Sequence, residues 1–247
     1  MQNCNNCSND VQGKYCSHCG QKAGVGRLSL HEIFHELVHS VTHTEKGILK
    51  LTKELFIRPG RVYNGYFLGK RKTYFSPVMF FLLAIGLLIF FGDKLFDREM
   101  ELTGDKNLVF QKFLHHYQKI RYLIFIPVIS TITWLFFYQR YNFSECLVFW
   151  FFCTGFISVV EIFSYLPQYF FVHHRYVIRY ITDWLAWLII LWHLLLVFSG
   201  RQLRGVIKSV FLAVLAYFIL VYILNYFAYL NGIDYSFNPV RIFKEVF

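Results

Sequence analysis

The run SPVMFFLLAIGLLIFFG, residues 76–92, decides the fold class. It contains no charged side chain. A bilayer core of about 30 Å needs roughly 20 helical residues. This run falls slightly short, and Lys94 just beyond it can snorkel to the headgroups. Ser76 suits an N-cap and Pro77 the first helical position. The stretch reads as a transmembrane helix.

The rest of the chain agrees. Of 247 residues, 56% are hydrophobic, 21% aromatic and only 16% charged. Soluble domains carry about 25% charged residues. Further apolar segments lie at residues 122–138, with Pro127 inside, at 143–165, ending before Pro167, at 177–198 and at 206–230. The expected fold is an all-α integral membrane helical bundle of about five transmembrane helices over 76–247. It is preceded by a small zinc ribbon at 1–24 and juxtamembrane amphipathic helices within 25–75. Helices are expected at 28–43 and 45–57, then a turn at Arg58-Pro59-Gly60 and a basic, aromatic stretch.

Basic residues set the orientation. With a cytosolic N-terminus, inside segments hold fifteen Lys and Arg and outside segments ten. The positive-inside bias therefore puts the N-terminus in the cytosol, in an inner (cytoplasmic) membrane. The first 20 residues are polar, with no signal-peptide apolar core. The net charge of +10 accompanies membrane segments and no nucleic-acid motif, so lipid is the expected partner and nucleic acid is not.

Cys4-x2-Cys7 and Cys16-x2-Cys19 are paired knuckles, eight residues apart. Four thiolates close a tetrahedral shell, so one structural Zn2+ is expected at Cys4, Cys7, Cys16 and Cys19. Two disulfides or four free thiols are the alternatives, and a reducing cytosol disfavours the disulfides. A 20-residue module buries too little apolar surface to fold unaided, and metal supplies about 10–16 kcal/mol in such peptides. Cys146 and Cys153, on the third span, read as packing residues.

The runs YCSHCGQK, HEIFHELVHSVTHTEKG and LTKELFIRPGRVYNGYFLGKRKTYFSP resemble the bacterial membrane family catalogued as domain of unknown function 3667. The shared features are a zinc ribbon ending in Cys19-Gly20-Gln21, an Arg58-Pro59-Gly60 turn and a Gly69-Lys70-Arg71-Lys72 motif before the first span. The resemblance is strong over residues 4–90. It implies this architecture and a bacterial source, and no activity.

His31, His35, His39 and His43 recur at every fourth position. The metalloprotease pattern H-E-x-x-H occurs twice, sharing His35, with Glu32 or Glu36 as base. On a helix, Leu30, Ile33, Phe34, Leu37, Val38 and Val41 form one apolar face and the histidines flank it. That layout fits an interfacial helix with a pH-responsive stripe, or a second, non-catalytic metal site. A zinc hydrolase would need a third ligand, with His43, Glu45, Glu54 or His193 on the right side, and an open coordination position. No Asp-Gly pair supplies the signature of an intramembrane zinc protease.

Lys70, Arg71 and Lys72, flanked by Tyr66, Phe67, Tyr74 and Phe75, read as a positive-inside anchor within an aromatic belt, with a specific contact site for anionic lipid headgroups as the alternative. Glu161, Arg179, Asp183 and Asn225 form an intramembrane polar cluster. Such charges lock helices together or line an ion or substrate path. The favoured role is non-enzymatic: recruiting a protein partner, sensing or scaffolding at the cytosolic face. A transporter or export accessory using the polar cluster is the alternative, and a membrane zinc hydrolase a third.

Overall fold

The structure, a computed structural model, describes residues 2–30, 32–33, 45–103, 118–200 and 202–230. The N-terminal module opens with β1 (Gln2–Asn3) and β2 (Asp10–Val11). They pair antiparallel, Gln2 opposite Val11 and Asn3 opposite Asp10. A Tyr15–Lys22 bridge closes a second, similar turn. Leu30, Glu32 and Ile33 are helical; the remainder of the expected 28–43 helix lies outside the described residues.

Helix α1 (Glu45–Ile57) occupies the expected span. Arg58 then leaves helical geometry at φ −143°, and Pro59 starts α2 (Pro59–Phe67). The expected turn is thus a break between two helices. Proline at the first helical position costs no hydrogen bond, because that N–H has no intrahelical partner. Val62, Tyr63 and Tyr66 give α2 one buried stripe. The expected aromatic belt is correspondingly core: Tyr66 and Phe75 are buried, and Phe67 and Tyr74 are half-buried.

Helix α3 (Pro77–Thr103) continues past residue 92 through what looked like a charged linker. Leu95, Phe96 and Glu99 lie on its buried face, and Lys94 and Asp97 are exposed. The helical period therefore persists although the composition changes. α4 (Gln118–Phe137) keeps Pro127 within it. α5 (Phe143–Phe170) runs through Pro167 instead of stopping before it. Proline three residues from a helix end removes one internal bond, and its own carbonyl still accepts from the Phe171 N–H at 2.9 Å. A 3-10 turn (Val172–His174) leads into α6 (Arg175–Phe198), and α7 (Leu203–Leu230) follows.

Among the described residues, four helical segments are long and apolar enough to cross a membrane: Pro77–Leu102, Ile120–Phe137, Phe143–Phe170 and Val177–Phe198. α7 covers the fifth expected span. α5 is the central helix, packed against α3, α4 and α6. Its Phe149, Trp150 and Phe152 are fully buried. The Trp150 indole N–H donates to Thr133 Oγ1 of α4 at 2.9 Å, so the ring's polar atom is satisfied inside the bundle.

The connections sort to two ends. The Tyr141 hydroxyl donates to the Val197 carbonyl at 2.7 Å, and Arg140 donates to Gln202 at 3.3 Å. The α4–α5 and α6–α7 connections therefore share one end. The N-terminal module docks at that same end, through Arg27 to the Arg140 carbonyl at 2.9 Å.

Candidate metal centre and its docking surface

Each C-x-x-C segment folds as a tight knuckle. The Ser8 N–H reaches the Cys4 carbonyl at 2.8 Å, and the Gly20 N–H reaches Cys16 at 2.9 Å. The residue after each second cysteine is left-handed: Ser8 at φ 64° and Gly20 at φ 69°. Glycine accepts that conformation without a Cβ clash; serine bears a small strain.

The four Sγ atoms of Cys4, Cys7, Cys16 and Cys19 lie within 4.8 Å of one another. Cys4 and Cys19 are 3.6 Å apart, Cys7 and Cys16 3.5 Å, and none is disulfide-bonded. A sulfur tetrahedron around a metal with bonds of about 2.3 Å has edges of about 3.8 Å. The cluster can hold a metal ion in that shape. The Cys7 and Asn6 N–H groups point at the Cys4 sulfur and, against burial, hold its pKa below the ordinary thiol value. The Cys19 and His18 N–H groups lower Cys16 in the same way, to about 6. At Cys7 the Asn9 N–H also lowers, but burial and the neighbouring sulfurs push it up to about 12. His18 therefore acts through its backbone. Four sulfur donors leave no open position, so the centre suits structure and not catalysis.

The module is fastened to the bundle by side chains that sequence reasoning gave no role. Gln21 is buried, and its Nε2 donates to the Gly69 carbonyl at 2.8 Å. Its Oε1 accepts from the N–H groups of Arg71 and Lys72 at 3.2 and 3.3 Å. Asn6 Oδ1 accepts from the Thr73 N–H and hydroxyl at 3.1 and 2.7 Å. Two of the three motifs quoted for the family resemblance, Cys19-Gly20-Gln21 and Gly69-Lys70-Arg71-Lys72, thus bind each other. Arg27 makes a two-pronged contact with the buried Glu145, at 3.0 and 2.9 Å. Glu145 also forms the capping box of α5 with Asn142. Asn142 Nδ2 in turn reaches the Leu28 carbonyl at 2.8 Å.

Of the expected lipid-contacting residues, Lys70 and Lys72 are exposed. The Arg71 side chain is turned inward to Glu32 at 3.1 Å and to the Gly26 carbonyl at 3.3 Å. His31, His35, His39, His43 and Glu36 lie outside the described residues. Glu32, the base of the first H-E-x-x-H copy, is described. It accepts from the Ser29 N–H at 3.1 Å while its own N–H donates to Ser29 Oγ at 3.3 Å. This is a capping box, and the S-x-x-E spacing of Ser29 and Glu32 was its sequence signal. Burial raises the Glu32 pKa, but the hydrogen bond and charge of Arg71, with Ser29, hold it below the usual range. His193, a candidate third ligand, is fully buried with Nδ1 3.0 Å from the Tyr63 hydroxyl.

At the opposite end of the bundle, Arg179 donates to Glu99 of α3 and, at 2.8 Å, to Gln168 of α5. Glu99 is fully buried and was missed because its segment read as a linker. Asp183 is exposed and Glu161 half-buried on the helices beside it; the side chain of Asn225 lies outside the described residues.

Residues 45–91 match a family model described as Protein of unknown function (DUF3667). The resemblance read from the sequence holds over that segment, which is α1, α2 and the first half of α3. No curated protein and no solved structure matches the chain.

Proposed function

We propose that this chain is a non-enzymatic scaffold of the bacterial inner membrane, with a cytosolic N-terminus. Its ribbon holds one structural Zn2+ and clamps the cytosolic ends of the helices, and the assembled face recruits or senses a protein partner. The observation that carries this reading is the docking of Gln21 onto Gly69, Arg71 and Lys72. Folding of the cysteine cluster is thereby tied to the segment that leads into the first span. The four-sulfur donor set favours zinc. Exposed Lys70 and Lys72 suit anionic headgroups at the same face.

The engagement of Glu32 with Ser29 and Arg71 speaks against the first H-E-x-x-H copy as a zinc-base site. A general base must be free to accept a proton from a metal-bound water. The Glu99–Arg179–Gln168 contact supports a helix lock more than a transport path, because it ties three helices to one another.

Metal content of the purified protein tests the proposal. One zinc per chain is expected, lost when Cys16→Ser and Cys19→Ser are combined. Retained zinc in that variant would overturn the assignment. In intact cells, a membrane-impermeant thiol label should reach an engineered cysteine at Leu102 and not the N-terminal module. The reverse pattern would invert the orientation.

A further inference from the structure

Ring contacts tie α1 and α2 to α5 and to the residues just before it, Tyr66 meeting Phe152 at 5.4 Å among them. Phe67 of α2 meets Tyr141, just before α5, with ring centroids 6.0 Å apart. Tyr63 meets Phe149 at 4.9 Å and Phe152 at 6.1 Å. Phe56 of α1 meets Phe156 at 6.4 Å. From Phe149 to Phe156 the helix advances about 10 Å. On α6, Tyr63 lies at His193 and Gly60 3.9 Å from Leu196 Cβ, so the turn between α1 and α2 sits within about two helical turns of the end of that helix. The end of that helix is marked by Phe198, which packs on Tyr141 and Phe149. At its far end, Gly47 of α1 lies 3.6 Å from Phe75, just before the first span. α1 therefore descends along the bundle, the chain reverses at Arg58, and α2 climbs back.

The inner stripe of this hairpin is protein core: Leu51, Leu55, Val62, Tyr63 and Tyr66 are essentially fully buried. The outer face is apolar and open. Leu49 is 80% exposed, Phe56 66% and Ile57 54%. Phe56 lies at the depth of Phe156, well inside the Phe143–Phe170 span. Between residues 47 and 61 four cations, Lys50, Lys53, Arg58 and Arg61, are exposed. The only acid there, Glu54, is half-buried and hydrogen-bonded to Tyr74.

We infer that α1 and α2 form a shallow re-entrant hairpin whose outer face is a binding surface for anionic phospholipid. Leu49, Phe56 and Ile57 lie among the acyl chains, and the four cations reach back to the phosphates. Long basic side chains do this by laying their stems along apolar surface. A water-facing surface would leave three large apolar side chains exposed beside one another. A protein partner would have to complement four cations set beside an apolar face, whereas a lipid leaflet supplies acyl chains for that face and phosphates just above them. The inference rests on the membrane reading, and its test keeps the two apart.

The photoreactive residue benzoylphenylalanine is placed at Leu49, Phe56, Leu188 or Tyr15 of the full chain. The protein is reconstituted in vesicles of phosphatidylglycerol and phosphatidylcholine in equal parts. Leu188 is 60% exposed on α6 and reports the membrane reading; Tyr15 is 64% exposed on the cysteine module and reports water. Lipid adducts are expected at Leu49, Phe56 and Leu188 and not at Tyr15. Adducts at Leu49 and Phe56 should be several-fold enriched in phosphatidylglycerol. The combined Lys50→Gln, Lys53→Gln, Arg58→Gln and Arg61→Gln variant should lose that enrichment and keep the adducts. Lipid at Leu188 with only water, another protein or a second copy at Phe56 overturns the hairpin and spares the membrane reading. No lipid at Leu188 overturns both. Enrichment that survives the charge variant overturns the anionic preference.

Discussion

Gln21 and Gly69, 48 positions apart in sequence, are joined by the Gln21 side-chain amide, which donates to the Gly69 carbonyl at 2.8 Å. The oxygen of the same amide takes the N–H groups of Arg71 and Lys72. One side chain thus satisfies three backbone groups of the turn that precedes the first span. Leaving such groups unpaired at a buried contact costs about 1–3 kcal/mol. Gln21→Ala should raise amide exchange at Arg71 and Lys72 by about ten- to a hundredfold, since 1.4 kcal/mol is tenfold. Unchanged exchange in Gln21→Ala would dismiss the docking.

Metal removal should act on the same turn from a distance. A module of this size has no core to hold its knuckles, and a metal bound by the four cysteines would provide its folding energy. A chelator should therefore release residues 4–21 and deprotect residues 69–73. The central pair Trp150 and Thr133 lies among helices that keep their own packing. Exchange along α5 should stay slow throughout. Simultaneous loss of α5 protection would mean that the bundle itself depends on the metal.

The architecture was legible where one physical signal dominates. Uninterrupted apolar runs mark the spans, and cysteine spacing marks the cluster now seen with all sulfurs within 4.8 Å. It was less legible where two signals compete. In α3 the charged residues after Gly92 masked a helical period that carries Leu95, Phe96 and Glu99 to the buried face. At Pro167 a helix-breaking residue falls so near the helix end that little is lost. Asn6 and Arg27 are ordinary polar residues whose partners lie far along the chain, so no local pattern points to them, and Gln21 stood out only as the end of the Cys19-Gly20-Gln21 motif, with no partner implied. The S-x-x-E of Ser29 and Glu32 was readable, but the overlapping H-E-x-x-H set the glutamate beside the histidines as a candidate base of the third reading.

Glu32 should make this region sensitive to acid. Its folded pKa is held below the ordinary carboxylate value, by Arg71 and Ser29 against burial. A depressed carboxylate stabilises fully above its unfolded pKa of about 4.3, and that stabilisation is lost as pH falls through the lower folded value. The contact of Arg71 with Glu32 should therefore hold at neutral pH and loosen only below about pH 4. Glu32→Gln should cost about 1 kcal/mol at neutral pH and remove this part of the acid dependence. Function should survive in Glu32→Gln, read by complementation of a deletion strain. A dead variant with an intact, metal-loaded fold would restore the zinc-base reading.

Gly155 sits where α3 crosses α5. A Cβ built there would meet the Phe80 ring at 2.8 and 2.9 Å and the Phe81 Cα at 3.2 Å. Phe80 is itself buried among Phe152 and its neighbours, so the ring has no open space to swing into. The backbone of Phe81 can move only if α3 moves. Small residues at such crossings let helix backbones approach closely inside a membrane. Gly155→Ala gains about 1 kcal/mol of helix propensity. Overpacking costs about 1–3 kcal/mol, so the net change should be destabilising. Gly86 on the exposed side of α3 has nothing within 4 Å of its Cβ position, so Gly86→Ala should keep the propensity gain. Thermal unfolding in detergent should therefore shift down for Gly155→Ala and level or up for Gly86→Ala. Equal shifts of the same sign in both variants would deny the close approach of α3 and α5.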